Sequence, residues 1–199
     1  MTTVFLVRHG QPDLPKEKVF YGSTDLPLSE RGREQARALG PIWRDIGPLK
    51  AFSSPLRRAL DTARLSGLEP EVVDDLREID MGSWEMIPFE TVSRDFPEDF
   101  EDRWRDIETF RPPGGESFED VAERATDGLN RLIQGNQGPI ALFGHGGLFR
   151  SILWRTIGIP LRVAFRLNQD HCGIHVIDFT EGKKNLRRTN WLPMDRWGD

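Results

Sequence analysis

The pattern that most constrains the fold is an unbroken apolar run at residues 4–7, which is followed at once by Arg8 and His9. A strand with one face in water alternates apolar and polar side chains, whereas an unbroken apolar run is typical of a strand covered on both faces. Residues 139–143 repeat the pattern and are followed after one glycine by His145. The sequence therefore predicts a sheet that lies between layers of helices.

Segments with strand and helix patterns alternate along the chain. Strands are predicted at residues 4–7, 50–53, 71–73, 139–143, 163–167 and 175–179. Helices are predicted at residues 29–43, 56–65, 118–133 and 148–157, the longest of them with apolar residues at spacings of three and four. This alternation predicts an α/β fold, a three-layer α/β/α sandwich with a mainly parallel central sheet. Ligands of such sheets bind at the carboxyl ends of the strands.

Size and charge limit the classes of function. A chain of 199 residues with 37% hydrophobic residues can bury one sizeable core, so residues 1–199 are predicted to form a single domain. An acidic, aromatic insertion at about residues 86–113 is predicted to roof the active site. The formal net charge of -5 argues against a nucleic acid or an acidic membrane as partner. Any affinity for anions must come from a local pocket.

Cysteine use and hydropathy indicate the compartment. Cys172 is the single cysteine, so it can form neither an internal disulfide nor a zinc framework. The first ten residues have too short an apolar run for a signal peptide, and no stretch is long enough to span a membrane. We expect a cytoplasmic protein.

Basic residues follow three of the predicted strands. "RHG" follows the first strand, "SSPLRR" begins within the second, and "GHGG" follows the strand at residues 139–143. Guanidinium groups, imidazoles, backbone amides beside glycine and helix N-termini all donate to anions, and together they match the oxygens of a phosphoryl group. The sequence therefore predicts a phosphoryl site at the carboxyl edge of the sheet.

Four motifs, "LVRHG", "SSPLRRALDTA", "LREIDMGSWE" and "FGHGG", resemble those of the histidine phosphatase superfamily, the phosphoglycerate mutase-like proteins, in the same order. The resemblance implies that His9 attacks phosphorus and forms a phosphohistidine, and that Glu78 protonates the departing oxygen. It implies that Arg8, Arg58 and His145 hold the phosphoryl oxygens. It implies neither a metal nor a cofactor. His9 must be neutral, Glu78 protonated and His145 most useful as a cation, which predicts an acidic to neutral pH optimum.

Two of these assignments have competitors. The resemblance aligns Arg58 with the phosphate ligand of the family and leaves the adjacent Arg57 as a surface charge. Glu78 competes with three other carboxylates, Glu85, Asp80 and Asp75. Glu78 lies shortly before the "GSWE" element, where the family pattern places the acid, so Glu78 is the favoured general acid. Glu85 is then expected to be a structural residue.

One position departs from the family pattern. Many members carry an asparagine six residues after the nucleophilic histidine as a phosphate ligand, and this chain has Pro15 there. Gln11 and Ser23 are candidate replacements, Tyr21 occupies a position of substrate ligands in some relatives, and Gly146 is a further candidate substrate contact. These substitutions affect the leaving-group contacts and leave the phosphoryl chemistry intact.

His171 and His175 have the spacing of metal ligands on a helix, but the surrounding "CGIHVIDF" alternates as a strand does, which argues against a metal site.

A finer resemblance, in "MGSWEM", "PPGGESF" and "FRLNQDHCGIHVIDF", is to α-ribazole phosphatases. It implies a metal-independent phosphomonoesterase that acts on a small phosphorylated metabolite, with α-ribazole 5'-phosphate as one candidate. A phosphoglycerate mutase-type phosphomutase and a non-catalytic scaffold for a phosphorylated ligand are the alternatives. The oligomeric state stays open.

Overall fold

The computed structural model describes residues 1–192, which form a six-stranded mixed sheet flanked by helices. The strands are β1 (Thr2–Arg8), β2 (Lys50–Ser53), β3 (Glu71–Val72), β4 (Ile140–Gly144), β5 (Ile174–Thr180) and β6 (Lys183–Trp191). Their order across the sheet is β3-β2-β4-β1-β5-β6. The first four strands in this order are parallel, and β5 and β6 run antiparallel at one edge. The predicted fold class is confirmed.

Eight α-helices and two short 3-10 helices, at Asp74–Leu76 and Gly82–Trp84, lie among the described residues. The α-helices are α1 (Glu30–Arg37), α2 (Gly40–Ile46), α3 (Arg57–Leu65), α4 (Phe89–Asp95), α5 (Pro97–Arg105), α6 (Phe118–Gln134), α7 (Gly146–Ile157) and α8 (Leu161–Ala164). The single helix predicted at residues 29–43 is wrong, because α1 and α2 are separate helices. Pro41 lies in the first turn of α2, where its missing N–H costs nothing, whereas inside a continuous helix it would remove a hydrogen bond.

The segment after α7 also differs from its prediction. Residues 163–167 were expected to be a strand, but Pro160 accepts hydrogen bonds from the amides of Val163 and Ala164 and begins the short α8. The strand that pairs with β5 is instead β6, whose Lys- and Arg-rich sequence lacks an apolar pattern. Such charge is typical of an edge strand, where it hinders pairing with another chain.

The apolar run in β1 is buried on both faces. Val4 and Leu6 pack into one hydrophobic cluster with α6 and α7, whereas Phe5 and Val7 pack into a second cluster with α1, α2 and α3. Successive side chains of a strand point to opposite faces, so a strand between two cores must be apolar at every position. The prediction of a doubly covered sheet is confirmed.

Strand register brings the basic segments together. Arg8 of β1 pairs with Gly144 of β4, and Ser53 of β2 pairs with Phe143. The residues that follow these strands therefore emerge side by side at one edge of the sheet. Within residues 1–192, no helix is long and apolar enough to cross a membrane. The predicted domain also includes residues 193–199, which lie outside the described residues, so its extent stays a prediction.

Candidate active site

His9 lies directly beyond β1 and is almost completely buried. Its Nδ1 is 2.7 Å from the carbonyl oxygen of Gly10. A carbonyl only accepts, so Nδ1 carries the proton and Nε2 keeps its lone pair. Burial, followed by the charges of Arg58, His145 and Arg8, lowers the pKa of His9 well below 6.5. The imidazole is therefore a neutral base with Nε2 available to attack.

His145 is the residue before α7 and has no exposed surface. Its ring centroid lies 5.2 Å from that of His9. The Nε2 atom is 2.8 Å from Ser54 Oγ, while the buried Nδ1 has no hydrogen-bond partner among the described residues. Burial, with Arg58 and Arg8, lowers the pKa of His145 well below 6.5, so this histidine is neutral until an anion offsets those charges. Sequence reasoning favoured a cation here and did not weigh neighbouring cations.

Arg58 and Arg8 lie at the same edge of the sheet. Arg58 is fully buried, and its Nη1 and Nη2 donate to the carbonyls of Thr24 at 2.7 Å and Gly22 at 2.6 Å. Arg8 donates to the carbonyl of Gln169. The Nε atoms of both arginines are buried without a hydrogen-bond partner within residues 1–192. Burial lowers the pKa of Arg58 from 12.5. Arg57, by contrast, is exposed.

Glu78 reaches the N-terminus of α7. Its Oε2 accepts from the amide of Gly147 at 2.9 Å, and its Oε1 accepts from Leu148 at 2.8 Å and Ile79 at 3.0 Å. A Cβ at Gly147 would lie 2.6 Å from Oε1, so only glycine allows this approach. On the other side, Arg124 of α6 donates to the Glu78 carbonyl and fixes the backbone.

Glu85 has a different role. Its carboxylate accepts from the amides of Gly22, Ser23 and Met81 and from the hydroxyl of Thr24, and so it closes the loop that holds Arg58. Burial opposes ionisation, but these hydrogen bonds together lower the pKa of Glu85 from 4.5. The expected structural role of Glu85 agrees with this geometry.

The structure separates the other predicted substrate contacts. Tyr21 lies under the Arg58 guanidinium, 5.7 Å from carbon to ring centroid, and lines a cavity beside Glu78. A Cβ at Gly146 would lie 3.0 Å from Arg150 Nη1, so Gly146 belongs to the basic cluster. Ser23 Oγ donates to Glu85, and Gln11 is exposed.

Sequence reasoning missed four residues of the site: Ser54, Arg150, Gln169 and His171. Arg150 lies one helical turn beyond Gly146, and a basic residue at this spacing in the first turns of α7 was a usable signal. Both side-chain polar atoms of Gln169 are buried without a partner in the described part of the chain. Its position depends on folding of the loop between α8 and β5, for which no local pattern exists.

His171 packs beside His9, with ring centroids 5.6 Å apart. Its Nε2 is buried and unpartnered among residues 1–192, and burial lowers its pKa to about 3. The Cys172 amide donates to the carbonyls of Arg8 and His9 and holds the turn against β1. His175, in β5, is buried and accepts from the Asn190 amide. No group of three or more His, Cys, Asp and Glu residues that could hold a metal ion occurs within the described residues.

Comparison with known proteins identifies the family to which the chain belongs. Residues 4–192 match the family model described as "Histidine phosphatase superfamily (branch 1)". The bifunctional protein Rv2228c of Mycobacterium tuberculosis is 34% identical over 95% of this chain, which spans only 54% of that protein. The glucosyl-3-phosphoglycerate phosphatase of Mycolicibacterium vanbaalenii is 34% identical over a match that covers 78% of this chain and 74% of that protein.

The α-ribazole phosphatase from Shigella flexneri has a similar structure. Its TM-score is 0.84 at 25% identity, with 98% of this chain and 100% of that chain covered. The mixed sheet flanked by helices, with a basic cluster at its carboxyl edge, defines an α/β protein of the phosphoglycerate mutase-like fold. The chain belongs to the histidine phosphatase superfamily, as its four motifs predict.

Proposed function

We propose that this protein is a metal-independent phosphomonoesterase that works through a phosphohistidine at His9. The observation that carries the proposal is the geometry of His9: its Nδ1 is held by the Gly10 carbonyl, and its Nε2 is left as a neutral base beside His145. A neutral imidazole competently attacks phosphorus, and a covalent intermediate divides one difficult displacement into two easier ones.

In the first step, His9 Nε2 forms a bond to phosphorus while the bond from phosphorus to the ester oxygen breaks. The unpartnered Nε atoms of Arg8 and Arg58 and Nδ1 of His145 supply donors for the phosphoryl oxygens. If Ser54 donates to His145 Nε2, the remaining proton lies on Nδ1, which then donates to phosphate. Donors already in place at the developing charge lower the barrier.

Glu78 serves the leaving group. Its Oε1 accepts two amides and its Oε2 accepts one, so Oε2 has the lone pair that can hold a proton. Glu78 gives this proton to the departing oxygen, then takes one from water as the water oxygen attacks phosphorus and the bond to His9 breaks. Inorganic phosphate is released, and both residues regain their starting states.

The insertion at about residues 86–113 roofs the leaving-group side in this proposal. The support is that Phe89 and Arg103, from α4 and α5, line a cavity together with Glu78. The substrate is a small phosphorylated metabolite. α-Ribazole 5'-phosphate and glucosyl-3-phosphoglycerate are candidates, since two similar proteins are named for their hydrolysis.

Hydrolysis of p-nitrophenyl phosphate in EDTA, between pH 5 and pH 7.5, tests the activity. We expect phosphate release by the wild type and a loss of about a thousandfold or more in kcat for His9→Ala. An acid-labile phosphoryl adduct should be trapped in the wild type and be missing from His9→Ala. Circular dichroism and Tm of both proteins control for folding. Full activity of His9→Ala would rule out the mechanism.

Two other outcomes decide between the alternatives. Transfer of phosphate between the hydroxyls of a phosphoglycerate, with little free phosphate, would make the protein a phosphomutase. Binding of orthovanadate without turnover of any ester would make it a phosphate-binding scaffold. Glu78 argues against the scaffold, because a binding site for phosphate has no need of a carboxylate beside its donors.

A further inference from the structure

A cavity of about 160 Å³ opens beside Glu78 and Gly147, next to the phosphoryl site. We call it the cationic cavity; its lining includes Tyr21, Phe89, Arg103, Phe118, Arg150 and Phe165. Glu78 is the group proposed to protonate the departing oxygen. Two cavities share Glu78 in their lining, and this is the one whose other charged side chains are cationic, so in the proposed mechanism it suits the leaving group of an anionic ester.

Arg103, on α5, has no anionic partner in the part of the chain that the structure describes. None of the hydrogen bonds and ion pairs within residues 1–192 involves its guanidinium, and its Nε is buried without an acceptor. Burial alone lowers the pKa of Arg103 to about 10, so it is still a cation at neutral pH. Its neighbour Arg105 differs, because it is exposed and pairs with Asp102 and Glu101.

Aromatic rings occupy the surroundings of Arg103. Its guanidinium carbon lies 5.5 Å from the Phe20 centroid, 5.2 Å from Trp104 and 5.8 Å from Phe118. Arg150 is similarly placed, 4.7 Å from the Phe165 centroid, and its Nε is also unpartnered among the described residues. Rings stabilise a cation through their faces but accept no strong hydrogen bond. The Nε–H groups of both arginines are therefore buried donors of the cavity that have no acceptor among the described residues.

We propose that the cationic cavity is a subsite for a second anionic group on the substrate, one carried by the leaving group and bound by Arg103 with Arg150. This inference rests on the proposed phosphatase function and narrows its substrate class. A guanidinium fork binds a carboxylate or a phosphate with two parallel hydrogen bonds, and desolvation strengthens the attraction. The preferred substrates are then phosphomonoesters of hydroxy acids or bisphosphates, rather than esters of neutral alcohols.

Matched substrates test the subsite in the wild type. 3-Phosphoglycerate and glycerol 3-phosphate have the same carbon skeleton and differ in a carboxylate against a hydroxymethyl group. We expect kcat/KM for phosphate release to be about tenfold to a hundredfold higher for 3-phosphoglycerate, the range of a charge-assisted hydrogen bond. Fructose 1,6-bisphosphate against fructose 6-phosphate tests a second phosphate in the same way and distinguishes the two kinds of anion.

Arg103→Met keeps the aliphatic volume and removes the charge. It should bring the ratio for the matched pair to within about twofold of one through a loss of kcat/KM for 3-phosphoglycerate, because the charge-assisted bond is lost. Arg105→Met is the matched control, since it removes an exposed, paired arginine two residues away, and the ratio should persist. If Arg103→Met does not fold, Arg103→Gln and the inhibition constants of the two esters in the wild type give the same comparison.

The outcomes separate this inference from the proposed function. Absence of any His9-dependent phosphate release would overturn the function and the subsite together. Turnover through His9 with equal kcat/KM for the members of both matched pairs would overturn the subsite alone. A preference for the acid that survives Arg103→Met would do the same.

Discussion

Two cavities meet at Glu78, and their charges are opposite. The cationic cavity presents Arg103 and Arg150 among aromatic rings. A second cavity of about 450 Å³, which we call the acidic cavity, also includes Glu78 in its lining. Its other charged lining residues are mainly carboxylates: Asp25, Asp74, Asp80 and Glu116, with Arg77. Under the proposed function, a phosphate ester is repelled by the second cavity and attracted by the first. The contrast teaches that a chain with net charge -5 can still present a local positive field.

The charged side chains of the two cavities also differ in their hydrogen-bond partners. In the acidic cavity, Glu116 accepts from both Arg124 and the Asp80 amide, so its charge is compensated. In the cationic cavity the Nε atoms of Arg103 and Arg150 have no hydrogen-bond partner within residues 1–192, and Glu78 acts on Arg150 through its charge without a hydrogen bond. Compensated charges maintain the fold, whereas uncompensated charges are available to a ligand. Glu78 lies between the two cavities. Among the predictions that follow, its substitution has the largest expected effect on the rate of hydrolysis.

Glu78→Gln should affect substrates according to their leaving groups. Loss of a general acid costs about a hundredfold to ten thousandfold for an alkyl phosphate, whose oxygen must be protonated to leave. p-Nitrophenyl phosphate has a stable leaving anion and should lose far less in phosphohistidine formation. Single-turnover rates of that step with both esters measure the difference. An equal loss for the two would assign Glu78 to maintaining the N-terminus of α7 instead.

The histidines should make stability sensitive to mild acid. Burial and then Arg150 lower the pKa of His175 to about 4 from 6.5. Below pH 6.5 the unfolded chain binds a proton that the folded chain does not. The free energy of unfolding therefore decreases as the pH decreases. For His175 this is on the order of 2 kcal/mol between pH 6.5 and pH 5.

Denaturant unfolding between pH 7.5 and pH 5 measures this dependence. His175→Gln should reduce the slope of unfolding free energy against pH, whatever its effect on absolute stability. Glu116 of the acidic cavity should affect stability only at lower pH. Burial raises the pKa of Glu116, but Arg124 and the Asp80 amide lower it overall from 4.5. The contribution of Glu116 to the free energy of unfolding is therefore lost only as the pH falls below 4.5. A slope unchanged by His175→Gln would contradict the assignment.

His171→Leu should weaken binding of orthovanadate by about tenfold, the cost of one neutral donor to a charged ligand. The reason is that His171 Nε2 is buried beside His9 without a partner in the described residues. His171→Asn keeps an N–H and should recover part of the affinity. Calorimetric titration measures binding without turnover, so the result does not depend on catalysis. Unchanged affinity in His171→Leu would exclude His171 from the phosphate site.

Parts of the site formed by strand ends were predictable. Arg8, His9 and His145 each follow an apolar strand, and the carboxyl ends of neighbouring parallel strands meet by topology. Ser54 follows β2 in the same way and could have been added. Arg150 could also have been added from its spacing to Gly146, whereas Gln169 and His171 were not predictable because their places depend on the turn that β6 helps to hold. The turn is linked to β6 through hydrogen bonds between Asp170 and Asn190.

By itself the sequence determined which strands are buried on both faces, which strand ends carry donors, and to which superfamily the chain belongs. Period and spacing encode the first two properties within a few residues, whereas the third comes from the resemblance of the four motifs to the superfamily. Only the tertiary structure decided which cations have counter-ions and which do not. Arg103 and Arg105 are two residues apart on one helix, yet one is paired with carboxylates and the other is enclosed by rings. That difference arises because distant segments pack around one side of α5 and leave the other in solvent.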